Sequence, residues 1–108
     1  MRTLKFIVKD QIITADPNCD FSNLISGTEG YLEAEFTFSD EWNKCIKVAE
    51  FIGSTMHDCI PVLLKNGKSC TIPSEMTKRP VFGIRMVGKK DTLKLTTNKV
   101  VVRQKGDK

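Results

Sequence analysis

The sequence predicts an all-β fold: a single antiparallel β-sandwich, Ig-like or a small barrel, of about seven or eight short strands. Three observations predict it. Apolar residues recur with period two in several short runs, turn-forming residues separate those runs at fairly even spacing, and no stretch keeps a helical period for longer than a turn. At 108 residues the chain has room for one domain with one core. Its 40% hydrophobic and 28% charged residues are ordinary for a globular domain. The domain is expected over residues 1–104, with a charged, frayed tail at 105–108.

In Thr3–Lys9, Leu4, Phe6 and Val8 share one face, as a half-buried strand requires. Asp10-Gln11 turns it into a second short strand, Ile12–Thr14. Residues 15–30 are rich in Asp, Asn, Ser, Gly and Pro and read as a long loop, with one short strand or helical turn near Phe21–Ile25. Then comes YLEAEFTFSDEW, residues 31–42. Leu32, Ala34, Phe36 and Phe38 point one way, and Glu33, Glu35 and Thr37 the other, which describes a strand packed on one face. Ser39–Lys44 is a polar corner with room for one helical turn, and Trp42 is expected to fold over the end of the core.

Cys45–Ile52 is expected to pair with the preceding strand and, being apolar on both faces, to lie inside a sheet; Lys47 would have to reach out along its own stem. Asp58–Leu64 and Ser69–Ile72 flank Asn66-Gly67, so they read as a hairpin closed by a type I′ turn. Pro73–Lys78 allows one helical turn, ended by Pro80. Val81–Val87 is a strand, Gly88-Lys89-Lys90-Asp91 a basic hairpin loop, and Leu93–Gln104 a long strand interrupted near Thr96-Thr97-Asn98.

The net charge of +4 is unevenly spread. Residues 1–54 hold nine Asp/Glu against five Lys/Arg, and residues 55–108 hold twelve Lys/Arg against four Asp/Glu. Such halves can neutralise each other within one sandwich, meet the opposite half of a neighbouring copy, or attract an acidic partner or nucleic acid. The basic stretch Lys89–Lys108 contains no aromatic residue on which bases could stack, so nucleic-acid binding would be weak and salt-sensitive. The four cysteines, Cys19, Cys45, Cys59 and Cys70, form no CxxC pair, and the single histidine, His57, has only Cys59 near it. No metal, cofactor or catalytic residue is expected: phosphate loop, nucleophile elbow and zinc helix are all unwritten. There is no apolar run long enough to span a bilayer, and MRTLKFIVKD lacks the pattern of a signal peptide, so reduced thiols and synthesis in the cytoplasm are expected.

Several stretches occur in one order. Tyr31-x-x-Ala34-x-Phe36-x-Phe38-Ser39-x-x-Trp42 is followed by Lys47-x-Ala49-x-Phe51 and by Pro61-Val62-Leu63-Leu64 with Asn66-Gly67. Cys70-Thr71-Ile72-Pro73 and Thr96-Thr97-Asn98-Lys99-Val100 complete the series. Together, over residues 2–103, they resemble a small β-domain of tail and baseplate proteins of phages and prophages of Firmicutes, where it joins longer fibre or upper-baseplate proteins to the particle. The resemblance implies a noncatalytic structural or adaptor module. It would work through contacts with other tail or baseplate proteins, with a homo-oligomer as one form, first in the bacterial cytoplasm and then in the virion. A freestanding phage-encoded binder of a host defence protein and a weak nucleic-acid-binding barrel are the alternatives. The expected contact elements are the loop 15–30, the acidic corner Asp40 and Glu41, and the basic loop Lys89 and Lys90, because loops on a rigid sandwich usually carry function.

Overall fold

The computed structural model describes residues 1–55 and 57–106. Among these, nine strands form two sheets: β1 (Arg2–Lys9), β2 (Ile12–Ala15), β3 (Leu32–Phe38), β4 (Ile46–Ile52), β5 (Cys59–Leu63), β6 (Ser69–Thr71), β7 (Val81–Lys90), β8 (Leu93–Thr96) and β9 (Val100–Arg103). Among the described residues the only helical pieces are a 3-10 turn at Asp40–Trp42 and one α-turn, α1 (Ser74–Thr77). The first sheet has the order β2-β1-β3-β6; the second has β5-β4-β7-β8, with β9 also on β7. All pairs are antiparallel except β1 with β3. The expected all-β sandwich is present.

The inner faces follow the period-two pattern. Leu4, Phe6 and Val8 of β1 and Leu32, Ala34 and Phe36 of β3 face Ala49 and Phe51 of β4 and Phe82, Ile84 and Met86 of β7, all buried. The parallel register sets Phe6 beside Phe36, with rings stacked at 5.4 Å. Phe21 meets Phe6 edge-on at 5.5 Å, and Phe38 continues the row to Trp42 at 5.5 Å. Trp42 is fully buried and its Nε1–H donates to the Asp10 carbonyl at 2.8 Å, so the ring closes the core without an unsatisfied donor.

Three pairings differ from the sequence reading. Strand β4 does not pair with β3; it lies between β5 and β7 in the other sheet. The corner Ser39–Lys44 buries Trp42 between the layers, so it carries the chain across the sandwich where a tight turn would have kept it in one sheet. The Asn66-Gly67 turn is formed, with both residues at positive φ and Lys68 N–H donating to Lys65 C=O at 2.9 Å. Its flanks touch only at Lys65 and Ser69, after which β5 joins β4 and β6 joins β3. Leu64 and Cys70 are both buried, so the turn links two layers of the core and no two-stranded hairpin forms. Lastly, Lys89 and Lys90 belong to β7, opposite Lys94 and Leu93. The turn that follows is Asp91-Thr92, with Asp91 at φ 53°.

The remaining segments serve the same packing. Strands β2 and β3 flank β1 on opposite sides, so residues 16–31 must carry the chain from one flank to the other. That loop buries Leu24 and is held by the Arg2 guanidinium, which donates to the carbonyls of Asp20 and Ser22 at 3.0 and 2.7 Å. Ile25 meets Lys105 in an isolated bridge, and Lys105 N–H donates to Leu24 C=O at 2.7 Å. Lys105 is thus anchored where a frayed tail was expected, and Asp107 and Lys108 lie outside the described residues. The final strand breaks at Thr97–Lys99 as expected: β8 pairs with the second half of β7 and β9 with the first.

Candidate protein-contact site

Strand β4 carries apolar residues on both faces, and the structure buries only one of them completely. On the outer face, Val48 lies between Leu63 of β5 and Val87 of β7. Glu50 lies between Pro61 and Arg85, and Ile46 lies opposite Lys89, which in turn faces Lys94 of β8. Ile46 is 64% and Leu63 is 63% exposed, and each has a strand partner on one side, Lys89 of β7 for Ile46 and Val48 of β4 for Leu63. The Arg85 guanidinium bonds Glu50 Oε1 through Nε at 2.9 Å and its terminal nitrogen at 2.8 Å, which neutralises both charges in the middle of the face. Ile46, Val48, Glu50, Val87, Lys89 and Lys94 line a shallow cavity of about 310 Å³. Pro61 sits on the outermost strand, where a missing N–H costs no ladder bond and blunts further pairing.

The residues singled out from sequence divide between two surfaces. Lys89 belongs to the outer face just described, beside Ile46. Lys90 is exposed and opposite Leu93 at the end of β7. Asp40 and Glu41 are exposed on the 3-10 turn that leads into β4, at the same end of the sandwich as Lys89. No ion pair joins these acids to these lysines among the described residues. Glu41 instead shares a hydrogen bond with the carboxyl of Asp10, which holds Glu41 below the usual carboxylate range and pushes Asp10 above it. Asp10 N–H also donates to Ser39 Oγ at 2.9 Å, and its carbonyl receives the Trp42 indole. The acidic corner therefore ties the first hairpin to the crossing between the sheets. The loop 15–30 is pinned along much of its length, since Gly27 N–H donates to Thr77 C=O at 2.8 Å and the Thr77 hydroxyl donates to Thr28 C=O.

A second concavity, of about 450 Å³, lies between the end of β3 and the Asn66-Gly67 turn. Glu35 to Phe38, Asn43, Lys47, Asn66, Gly67 and Lys68 line it. Lys47 Nζ stands 5.1 Å from the centre of the Phe38 ring and donates to Cys45 C=O at 3.3 Å. Sequence reading found the need for Lys47 to extend along its stem and missed the cavity, whose walls come from three separate segments. It also missed Ile46 and Leu63 as exposed residues, because an apolar run reads the same whether its second face is covered or open.

All four cysteines are free thiols. Cys45 and Cys70 are buried, and burial pushes the Cys70 thiol up to about 12, with the Glu33 carboxylate adding to the effect. No cluster of three or more His, Cys, Asp or Glu side chains suited to a metal occurs among the described residues, and no helix there is long and apolar enough to cross a membrane. No family model matches the chain, and neither the curated proteins nor the solved structures contain a match to it.

Proposed function

We propose that this chain is a noncatalytic structural module of a phage tail or baseplate, an adaptor that works through protein–protein contact. The observation that carries this reading is the outer face of the sheet β5-β4-β7-β8. Ile46, Val48, Leu63 and Pro61 form a contiguous apolar strip on β4 and β5, beside the buried Val87 of β7, with Lys89 and Lys94 at one end. Single exposed apolar residues need no explanation, whereas a contiguous strip on a rigid sheet marks an interaction surface. The side chains stand on β-strands whose opposite face is the core, so little ordering is lost on binding. The lysine end suits a neighbouring particle protein that presents acidic groups around an apolar ridge. The stretches in order over residues 2–103 support the phage context.

The deciding experiment is mass spectrometry of purified tail particles from the source strain, made with the native chain and with Ile46→Glu and Leu63→Glu. Stoichiometric presence of the native chain, and its loss in variants that keep the native circular-dichroism spectrum, is the expected result. Absence from particles with abundant soluble protein would overturn the reading and leave the host-directed binder.

A further inference from the structure

The cavity beside the end of β3 adjoins a place where the edge of β3 loses its neighbouring strand. Strand β6 pairs with β3 only from Glu33 to Glu35, and one further bond, Phe36 N–H to Lys68 C=O at 2.8 Å, ends the contact. On the other flank, Ser39 N–H donates to Val8 C=O at 2.9 Å. Backbone groups alternate sides along a strand, so these two bonds orient the N–H and C=O of Phe38 away from β1, toward the side that β6 has left. No protein partner meets them there among the described residues. The floor of the same cavity is the Phe36–Phe38 segment, and its rim carries two ammonium groups, Lys47 and Lys68, and two carboxamides, Asn43 and Asn66, against the single carboxylate of Glu35. Neither lysine has a carboxylate within ion-pair distance among the described residues.

We infer that this cavity takes an acidic, extended peptide segment of a partner protein, which adds to β3 as a short strand at Phe38. The backbone of the segment bonds the N–H and C=O of Phe38, its carboxylates reach Lys47 and Lys68, and its apolar atoms lie on the Phe38 ring. Strand addition suits this place because main-chain bonds provide the attachment and the alternating side chains provide the selection. The excess of donors on the rim selects for acid. The two glutamine-like functions at Asn43 and Asn66 tolerate either a backbone or a side-chain partner. The inference does not depend on the particle reading. It gives the domain a contact surface separate from the outer face of the second sheet, and an adaptor needs more than one.

The test uses the full chain labelled with ¹⁵N and titrated with a capped synthetic peptide of alternating valine and glutamate. Matched titrations use a valine–lysine peptide and sodium acetate. The acidic peptide is expected to shift the amide resonances of Phe38 and Gly67 and to slow exchange of the Phe38 amide roughly tenfold. Lys47→Gln and Lys68→Gln should each weaken binding by about fivefold, with the spectrum of the core residues unchanged. The acidic effect should fade as salt rises. An unmoved Phe38 amide at millimolar acidic peptide would overturn the inference. Equal binding of the lysine peptide would also overturn it, as would acetate reproducing the shifts without protecting Phe38.

Discussion

The carboxamide of Asn98 closes the free edge of β2 at Ile13. Its Oδ1 accepts from Ile13 N–H at 2.7 Å and its Nδ2 donates to Ile13 C=O at 3.3 Å, across 85 residues of sequence. Asn98 therefore does for Ile13 what a neighbouring strand would do, and it does so from the other sheet. Two further bonds reinforce the seam: Asn98 N–H donates to Gln11 C=O at 3.3 Å, and Gln11 Nε2 donates to Thr96 C=O at 3.3 Å. The break between β8 and β9 is what makes this possible. Thr97 keeps its place on β7, where its N–H donates to Met86 C=O at 3.1 Å and its hydroxyl accepts from Met86 N–H at 2.9 Å, while Asn98 swings out to β2.

Replacing Asn98 with Ala should leave both backbone groups of Ile13 open and cost about 1–2 kcal/mol. Urea denaturation and exchange of the Ile13 amide would measure it. Asn98→Asp tests the geometry. An ionised Asp keeps the acceptor for Ile13 N–H but sets a negative charge against Ile13 C=O. Once protonated, near an ordinary carboxyl pKa of about 4, it regains a donor. Relative to Asn98→Ala, the Asp variant should therefore recover stability as pH falls through that range. An unchanged urea midpoint and unchanged Ile13 exchange in Asn98→Ala would remove the edge-closing role.

What was legible in the sequence was local. The alternation in Leu32–Phe38 gave away its buried face, Trp42 announced a core-closing ring, and Asn66-Gly67 announced a turn at positive φ. Pairing was less legible, because a turn signal says that the chain reverses and leaves open whether its flanks share a sheet. Gly88 misled for a physical reason: glycine is read as turn chemistry, but here it makes room for the Trp42 ring inside a strand. The Asn98–Ile13 seam had no local signal at all. The same holds for both concavities, whose walls are assembled from distant segments. The exposure of Ile46 and Leu63 depends on an absent covering layer, which periodicity cannot register.

Gly88 offers a direct measure of how tightly the core closes. A Cβ built there would fall 2.7 Å from Cε3 and from Cζ3 of Trp42. The ring cannot easily yield, since its N–H is bonded to Asp10 and its other edge meets Phe38. Gly88→Ala should destabilise the fold by about 1–3 kcal/mol and shift the emission of the single tryptophan to the red as water reaches it. If the variant keeps both native stability and native emission, the close packing of Trp42 on β7 is wrong.

Cys70 should make stability fall at alkaline pH. In the unfolded chain its thiol ionises near 9.0, whereas in the folded protein burial holds the proton up to about 12. Between those values the unfolded state releases a proton that the folded state keeps, so each rise in pH favours unfolding. The contribution is fully present below pH 9 and is lost as pH climbs toward 12, at no more than about 1.4 kcal/mol per pH unit. Cys70→Ala removes this titration at the cost of a small cavity, about 1 kcal/mol at neutral pH. The gap between native and variant stability should therefore close and then reverse as urea midpoints are followed from pH 8 to pH 10.5. Alkylation gives an independent reading: iodoacetamide at pH 8 should leave Cys70 unlabelled in the folded protein and label it in urea. Modification of folded Cys70 at the rate of a free thiol would contradict both expectations, because it would require an accessible thiolate where the structure places a neutral, buried thiol between the sheets.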